Sequence, residues 1–217
     1  MSISVMLSQL VQGLWMSLAI FGLTLLGSLP LGVPVALARL STFWPLAWIA
    51  RIYISIMRGT PLMLQLFAVY FGPYYVFGIE LNPNSKFYAV IVAFILNYAA
   101  YFAEIYRSGI QAVPHGQWEA ADVLGYSRAQ TMTRIVLPQM FKAVLPSVGN
   151  EVIALVKDTS LAFSIGLLEM FSVAKSLAAS QANLLPFLLA AALYWVVNFV
   201  VEIVLAHLEK RYAYYHA

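Results

Sequence analysis

No cysteine occurs anywhere in the chain. Disulfides and thiolate metal sites are therefore excluded, and either redox compartment is compatible. Charge is also scarce: Asp, Glu, Lys and Arg make up 10% of the 217 residues, against about a quarter in an ordinary soluble domain. Net charge is only +3, with no basic run of the kind that marks a nucleic-acid surface, so no nucleic-acid partner is expected. His115, His207 and His216 are scattered and form no ligand set. The chain has no Gly-x-x-x-x-Gly-Lys-Ser/Thr loop for a nucleotide. Ser/His/Asp, His-Glu-x-x-His and Gly-x-Ser-x-Gly sets are missing too. These absences predict no catalytic site, no metal and no cofactor in this chain. Internal repeats and low-complexity tracts are lacking as well.

What is present is apolar surface. Hydrophobic residues form 62% of the chain and the mean hydropathy is +0.82. A soluble fold of this size cannot bury so much, so its solvent is largely lipid. The expected fold class is all-α: one polytopic membrane domain over residues 1–217 with about five transmembrane helices. A short amphipathic lead-in, 1–12, precedes a first span at 13–37 that can itself act as targeting signal. That span holds Thr24, Ser28, Pro30 and Pro34, and the prolines are expected to kink its second half. The second span, 47–75, is interrupted by Gly59 and Pro61 and carries Arg51 and Arg58, which snorkel or pair. An exposed loop, 77–86, leads to a third span at 87–106. The fourth apolar stretch, 141–171, is broken at Pro146, Gly149 and Gly166. Its first part reads as a re-entry helix, with the true span beginning near Ser147. Residues 172–183 read as a polar connection, and the fifth span is 184–205. Tyr70, Tyr74, Tyr75, Trp195, Tyr212, Tyr214 and Tyr215 read mostly as an interfacial aromatic belt.

Five spans put the ends on opposite sides. Arg39, Arg107, Arg128, Arg134, Lys142, Lys210 and Arg211 then share one side, and Lys86 and Lys175 the other. The positive-inside rule makes the C-terminus and the 107–138 segment cytoplasmic and the N-terminus external.

Residues 107–138 form the most polar long segment. Glu119, Ala120, Ala121 and Leu124 fall at helical spacing, Gly125 permits a sharp turn, and Pro138 stops or bends the piece that follows. Two short water-facing helices between spans would give a soluble partner a rigid knob to grip.

Glu119-Ala120-Ala121, Gly125, Ile135 and Leu137-Pro138 resemble the EAA loop of permease subunits in bacterial ATP-binding-cassette importers. Arg58-Gly59-Thr60-Pro61-Leu62 with Gln65, and Lys157-Asp158-Thr159-Ser160-Leu161, resemble motifs of the polar amino acid uptake branch. The resemblance covers nearly the whole chain. It implies a bacterial inner-membrane permease paired with a second permease, identical or not, two ATPase subunits that bind ATP and Mg, and an extracellular substrate-binding protein. It also implies transport by alternating access, with Glu119, Ala120, Ala121 and Gly125 coupling to the ATPase. The rival from another class is a secondary transporter driven by an ion gradient. The lack of repeat symmetry and the cytoplasmic grip element count against it.

Glu151, Lys157 and Asp158 lie within the fourth apolar stretch, where each ionisable group costs ~2.5–3.5 kcal/mol to insert. Glu151 and Asp158 are two turns apart on one helix face, ~10 Å, and neither has a basic residue three or four positions away. Two such carboxylates suit a watery cavity that receives an ammonium group. With Asn97 and Thr159 they are the expected substrate site. The competing reading is an ion-pair network in which Lys157 neutralises Asp158 or Glu104. Gly59 and Pro61 break a helix, either lining the cavity or hinging inward- and outward-facing states. Arg58 either binds a substrate carboxylate or anchors the helix by pairing with Glu104 or an acid of the ATPase. Glu104 and Arg107 read as a local pair. Glu151 favours basic or broad polar amino acids. The stretch from Phe43 to Ile56 resembles cystine permeases, and glutamine or glutamate specificity is a further alternative.

Overall fold

A computed structural model describes residues 2–80 and 82–212. Tyr214, Tyr215 and His216 lie outside the described residues. Every regular element among the described residues is helical.

The first helix, α1, runs unbroken from Ile3 to Arg39. The lead-in expected at 1–12 is thus continuous with the helix of the first span. Met6, Leu10, Gly13, Ser17, Ile20, Thr24, Ser28, Gly32 and Ala36 are all buried. Their spacing of three or four residues makes one continuous stripe that crosses the supposed boundary, so both parts pack as a single helix. Pro30 and Pro34 lie within it.

The second expected span is two helices. α2 (Trp44–Gly59) and α3 (Leu62–Phe77) meet at 109° across Thr60 and Pro61. Pro61 has no amide hydrogen and forces Thr60 into an extended conformation (φ −122°, ψ 148°), so the helix cannot continue through it. A 3-10 turn, Pro83–Ser85, leads into α4 (Lys86–Ala112). This helix is the central strut. It forms the most extensive pairing of the fold with α1, and it also packs against α2, α3 and the later α7. Small residues on both helices allow the approach: a Cβ added at Gly32 of α1 would lie 3.0 Å from Phe102 Cβ of α4.

After α4 comes a helical hairpin, α5 (His115–Val123) and α6 (Arg128–Thr131). A π-helical turn, Met132–Val136, joins α6 to α7 (Leu137–Asp158). Pro138, in the first turn of α7, therefore does not stop this piece. The Leu137 amide bonds to the Met132 carbonyl, five residues back. The wider turn absorbs a ring that supplies no donor, and the helix runs on. α7 also continues through Pro146 and Gly149. The part expected as a re-entry helix is thus continuous with the rest of α7, and no helix boundary falls at Ser147.

The break comes later. A 3-10 turn, Thr159–Ile165, ends at Gly166 (φ +72°), and α8 (Met170–Gln181) leaves at 59° to the preceding helix. The polar connection expected at 172–183 is thus mostly α8. Its start is fixed by Glu169, whose carboxylate accepts from the amides of Phe171 and Ser172, both at 2.7 Å, neutralising donors that a helix start leaves unpaired. α9 (Leu185–Tyr212) closes the chain. α1, the Pro83–Ala112 helix and α9 are each long and apolar enough to cross a membrane. Five spans result if each bent pair counts as one.

Candidate functional site

Three positions on α4 organise the polar interior. Asn97, one turn above Tyr101, faces the break between α2 and α3. Its Nδ2 donates to the Met57 carbonyl at 3.0 Å and to Gln65 Oε1 at 2.9 Å. Gln65 Nε2 in turn donates to Met57 O at 2.9 Å, Thr60 O at 3.1 Å and Thr60 Oγ1 at 2.8 Å. The carbonyls freed by the Gly59–Pro61 interruption are therefore met by two side-chain amides, and the elbow is latched rather than loose. Asn97 is buried, its amide hydrogens turned to the elbow.

Tyr98, the next residue, reaches α7. Its hydroxyl donates to Asp158 Oδ2 at 2.7 Å. Tyr101 lies beside Tyr98, with ring centroids 6.1 Å apart, and the Arg58 guanidinium sits over Tyr101, 5.3 Å from its centroid. Glu151 and Asp158 are both half-buried on α7. Neither has a cationic group within 4.0 Å among the described residues. Lys157 is exposed and makes no ion pair with Asp158 or Glu104. The expected ion pair of Lys157 is thus not formed, although its charge reaches Asp158. Glu104 is taken by Arg107, whose Nε donates to it at 3.0 Å, as expected of a local pair. Arg58 is exposed and pairs with no acid among the described residues, although its charge reaches Glu151.

Of the four residues expected to line the site, Glu151 and Asp158 share the α7 face opposite Tyr98 and Tyr101. Asn97 serves the elbow. Thr159 is turned inward, 1% exposed, with its hydroxyl donating to the Val156 carbonyl at 2.8 Å. Glu169 escaped the sequence reading. It is fully buried and joins three helices, accepting from Ser17 of α1 at 3.4 Å, Ser172 of α8 at 3.0 Å and Tyr194 of α9 at 3.2 Å. Its signal was there: a lone acid in an apolar run, three residues after Gly166.

The second site is the hairpin. Gly125 adopts φ +75°, its amide bonds to Asp122 O, and the Tyr126 amide bonds to Ala121 O, both at 3.0 Å. This pattern closes a helix end and needs a residue free to enter the left-handed region. Ser127 then starts α6 with a reciprocal capping pair to Gln130, at 3.3 Å and 2.8 Å. Glu119 lies mid-helix and meets His115 at 3.1 Å, so it does not cap the helix start, which is at His115. Ala120 is exposed, whereas Ala121 is fully buried within the chain. Val123 and Leu124 at the tip are 87% and 73% exposed. They form an apolar knob on the most polar segment.

Apolar helices carrying interior carboxylates, with a capped hairpin projecting between two of them, define a membrane permease. Residues 28–214 match the family described as binding-protein-dependent transport system inner membrane component, and the chain belongs to that family. It is 36% identical over 201 residues to the L-cystine transport system permease protein TcyB of Bacillus subtilis, covering 92% of this chain and 84% of that one. It is 37% identical to the arginine transport system permease protein ArtQ of the same organism, covering 93% and 91%. A solved amino acid ABC transporter, crystallised with histidines, superposes with a TM-score of 0.86 at 34% identity, covering 94% of each chain. The inward-facing MetNI methionine transporter shares the fold, with a TM-score of 0.78 at 18% identity.

Proposed function

We propose that this chain is the translocating subunit of an ATP-driven amino acid importer, and that Glu151 and Asp158 receive the cationic groups of a basic or broadly polar amino acid. The observation that carries the reading is the pair itself. Two half-buried carboxylates stand on one face of α7 with no cation within ion-pair distance among the described residues. Groups so placed are costly, and a permeating ammonium or guanidinium offsets that cost. Arginine transport by one relative accords with this. Cystine transport by another keeps the rival specificity in view, as does the glutamine assignment of a third, from Rickettsia bellii.

Energy comes from elsewhere. The exposed Val123–Leu124 knob, held by the Gly125 turn, enters a groove on a separate ATPase, which holds the ATP and Mg. A second permease subunit, a second ATPase and an extracellular binding protein complete the assembly in the bacterial inner membrane. The hairpin and C-terminus face the cytoplasm and the N-terminus the outside. ATP-driven closure draws the two hairpins together and opens the carboxylates outward, and release follows on return. The latched elbow at Gly59–Pro61 moves as a unit in this cycle.

The test is competitive uptake into proteoliposomes containing the whole transporter and saturating binding protein. Glu151→Gln is expected to reduce arginine uptake about tenfold while sparing glutamine, which equals one lost charge-assisted contact. Equal loss for both substrates removes the claim of selectivity.

A further inference from the structure

The carboxylates of α7 account for only one kind of charge on a free amino acid. We propose that Arg58 receives the substrate's α-carboxylate, so that the site reads a basic amino acid by all three of its charges. The inference rests on the substrate site placed at Glu151 and Asp158.

Arg58 sits on the last turn of α2, immediately before the elbow. An arginine that only anchored the helix by pairing would have an acid beside it. None lies within 4.0 Å among the described residues, and Glu104, the natural candidate, is already bound by Arg107. Instead the guanidinium rests over Tyr101. Stacking on an aromatic face orients the group and leaves its N–H edge free, the arrangement that binds a carboxylate through two parallel hydrogen bonds. The elbow beneath it is held by Asn97 and Gln65, so the position of Arg58 is pre-set rather than found on binding.

The same α4 ring system links both ends. Tyr101 neighbours Tyr98, and Tyr98 donates to Asp158. One cation, Arg58, and two carboxylates, Asp158 and Glu151, therefore border one aromatic pair, and the Arg58 charge reaches Glu151. A free basic amino acid carries the complementary set: one carboxylate, one α-ammonium and one side-chain cation. A simple amine lacks the group that Arg58 reads, and a neutral amino acid leaves one carboxylate of the site unmet.

Equilibrium binding of radiolabelled arginine to the purified permease–ATPase complex in nanodiscs, without binding protein, tests this. Unlabelled agmatine, the same cation without the carboxylate, is the competitor. The wild type is expected to prefer arginine to agmatine by roughly tenfold or more, the value of one charge-assisted pair. Arg58→Gln is expected to bring the two affinities together, and Glu151→Gln to weaken both while keeping their ratio. Arg58→Lys, which retains the charge without the planar fork, is expected to give an intermediate ratio and supplies the reading if the Gln variant does not assemble. An unchanged arginine-to-agmatine ratio in the Arg58 variants, with binding weakened in Glu151→Gln, overturns the role of Arg58 alone. Unchanged arginine affinity in Glu151→Gln as well overturns the substrate site on which it rests.

Discussion

The Tyr98 hydroxyl donates a 2.7 Å hydrogen bond to the Asp158 carboxylate, tying the central strut α4 to the C-terminal end of α7. Tyr98 is 2% exposed, so the bond is made with little water to compete. A hydrogen bond to a charged group contributes about 1.5–3 kcal/mol. Tyr98→Phe keeps the ring and removes the donor, and is expected to lower the thermal midpoint of the purified complex by several degrees while leaving it assembled. An unchanged midpoint would show that the bond contributes nothing to stability.

The elbow makes a second prediction. Asn97→Ala takes one donor from the Met57 carbonyl and leaves Gln65 Oε1 without the Asn97 donor. Loss of such a buried partner costs about 1–3 kcal/mol. Gln65→Ala is expected to cost a similar amount. The double variant should cost less than both together, because the two amides bond to each other and share Met57. Denaturation of the four proteins checks it; strict additivity would mean that the amides act independently.

The hairpin is tested by the contrast between two residues at Gly125. A Cβ there meets nothing within 4 Å in the chain, yet φ is +75°. The cost of substitution is thus backbone strain, about 1–2 kcal/mol for most residues and less for Asn. Gly125→Asn is expected to keep the ratio of uptake to ATP hydrolysis close to wild type. Gly125→Val, whose β-branched side chain resists this conformation, is expected to uncouple them, with hydrolysis continuing and uptake lost. Full coupling in the Val variant would show that the turn does not transmit motion.

Close packing between α1 and the start of α8 gives a fourth prediction. A Cβ at Gly13 would lie 2.8 Å from Met170 Cα, and backbone cannot step aside. Gly13→Ala is expected to destabilise by about 1–3 kcal/mol, the usual cost of overpacking. Gly22 on the same helix has nothing within 4 Å. Gly22→Ala should be neutral, or stabilising by up to about 1 kcal/mol from helix propensity. Similar midpoints for the two variants would mean that the Gly13 contact yields.

Much of this protein was written into the order of its residues. Composition alone dictates lipid as solvent, because 62% hydrophobic side chains cannot be hidden in a fold of this size. The Gly125 turn was legible because a left-handed helix end has one favoured residue. That Glu151 and Asp158 share one face of α7 could also be read from their spacing, whereas the absence of an ion pair to the adjacent Lys157 appeared only in the structure. What the sequence left open depended on partners distant along the chain. Whether Pro138 stops a helix depends on the π-helical turn before it, and Pro146 passes unbroken inside α7. That Asn97 bonds to the elbow depends on Met57 and Gln65, forty and thirty-two positions away. Glu169 gains its place only when α1 and α9 bring Ser17 and Tyr194 to it. Local spacing determines which residues share a face. Only the packing of helices against one another decides what that face meets, because the free energy of a buried polar group is set by its neighbours in space.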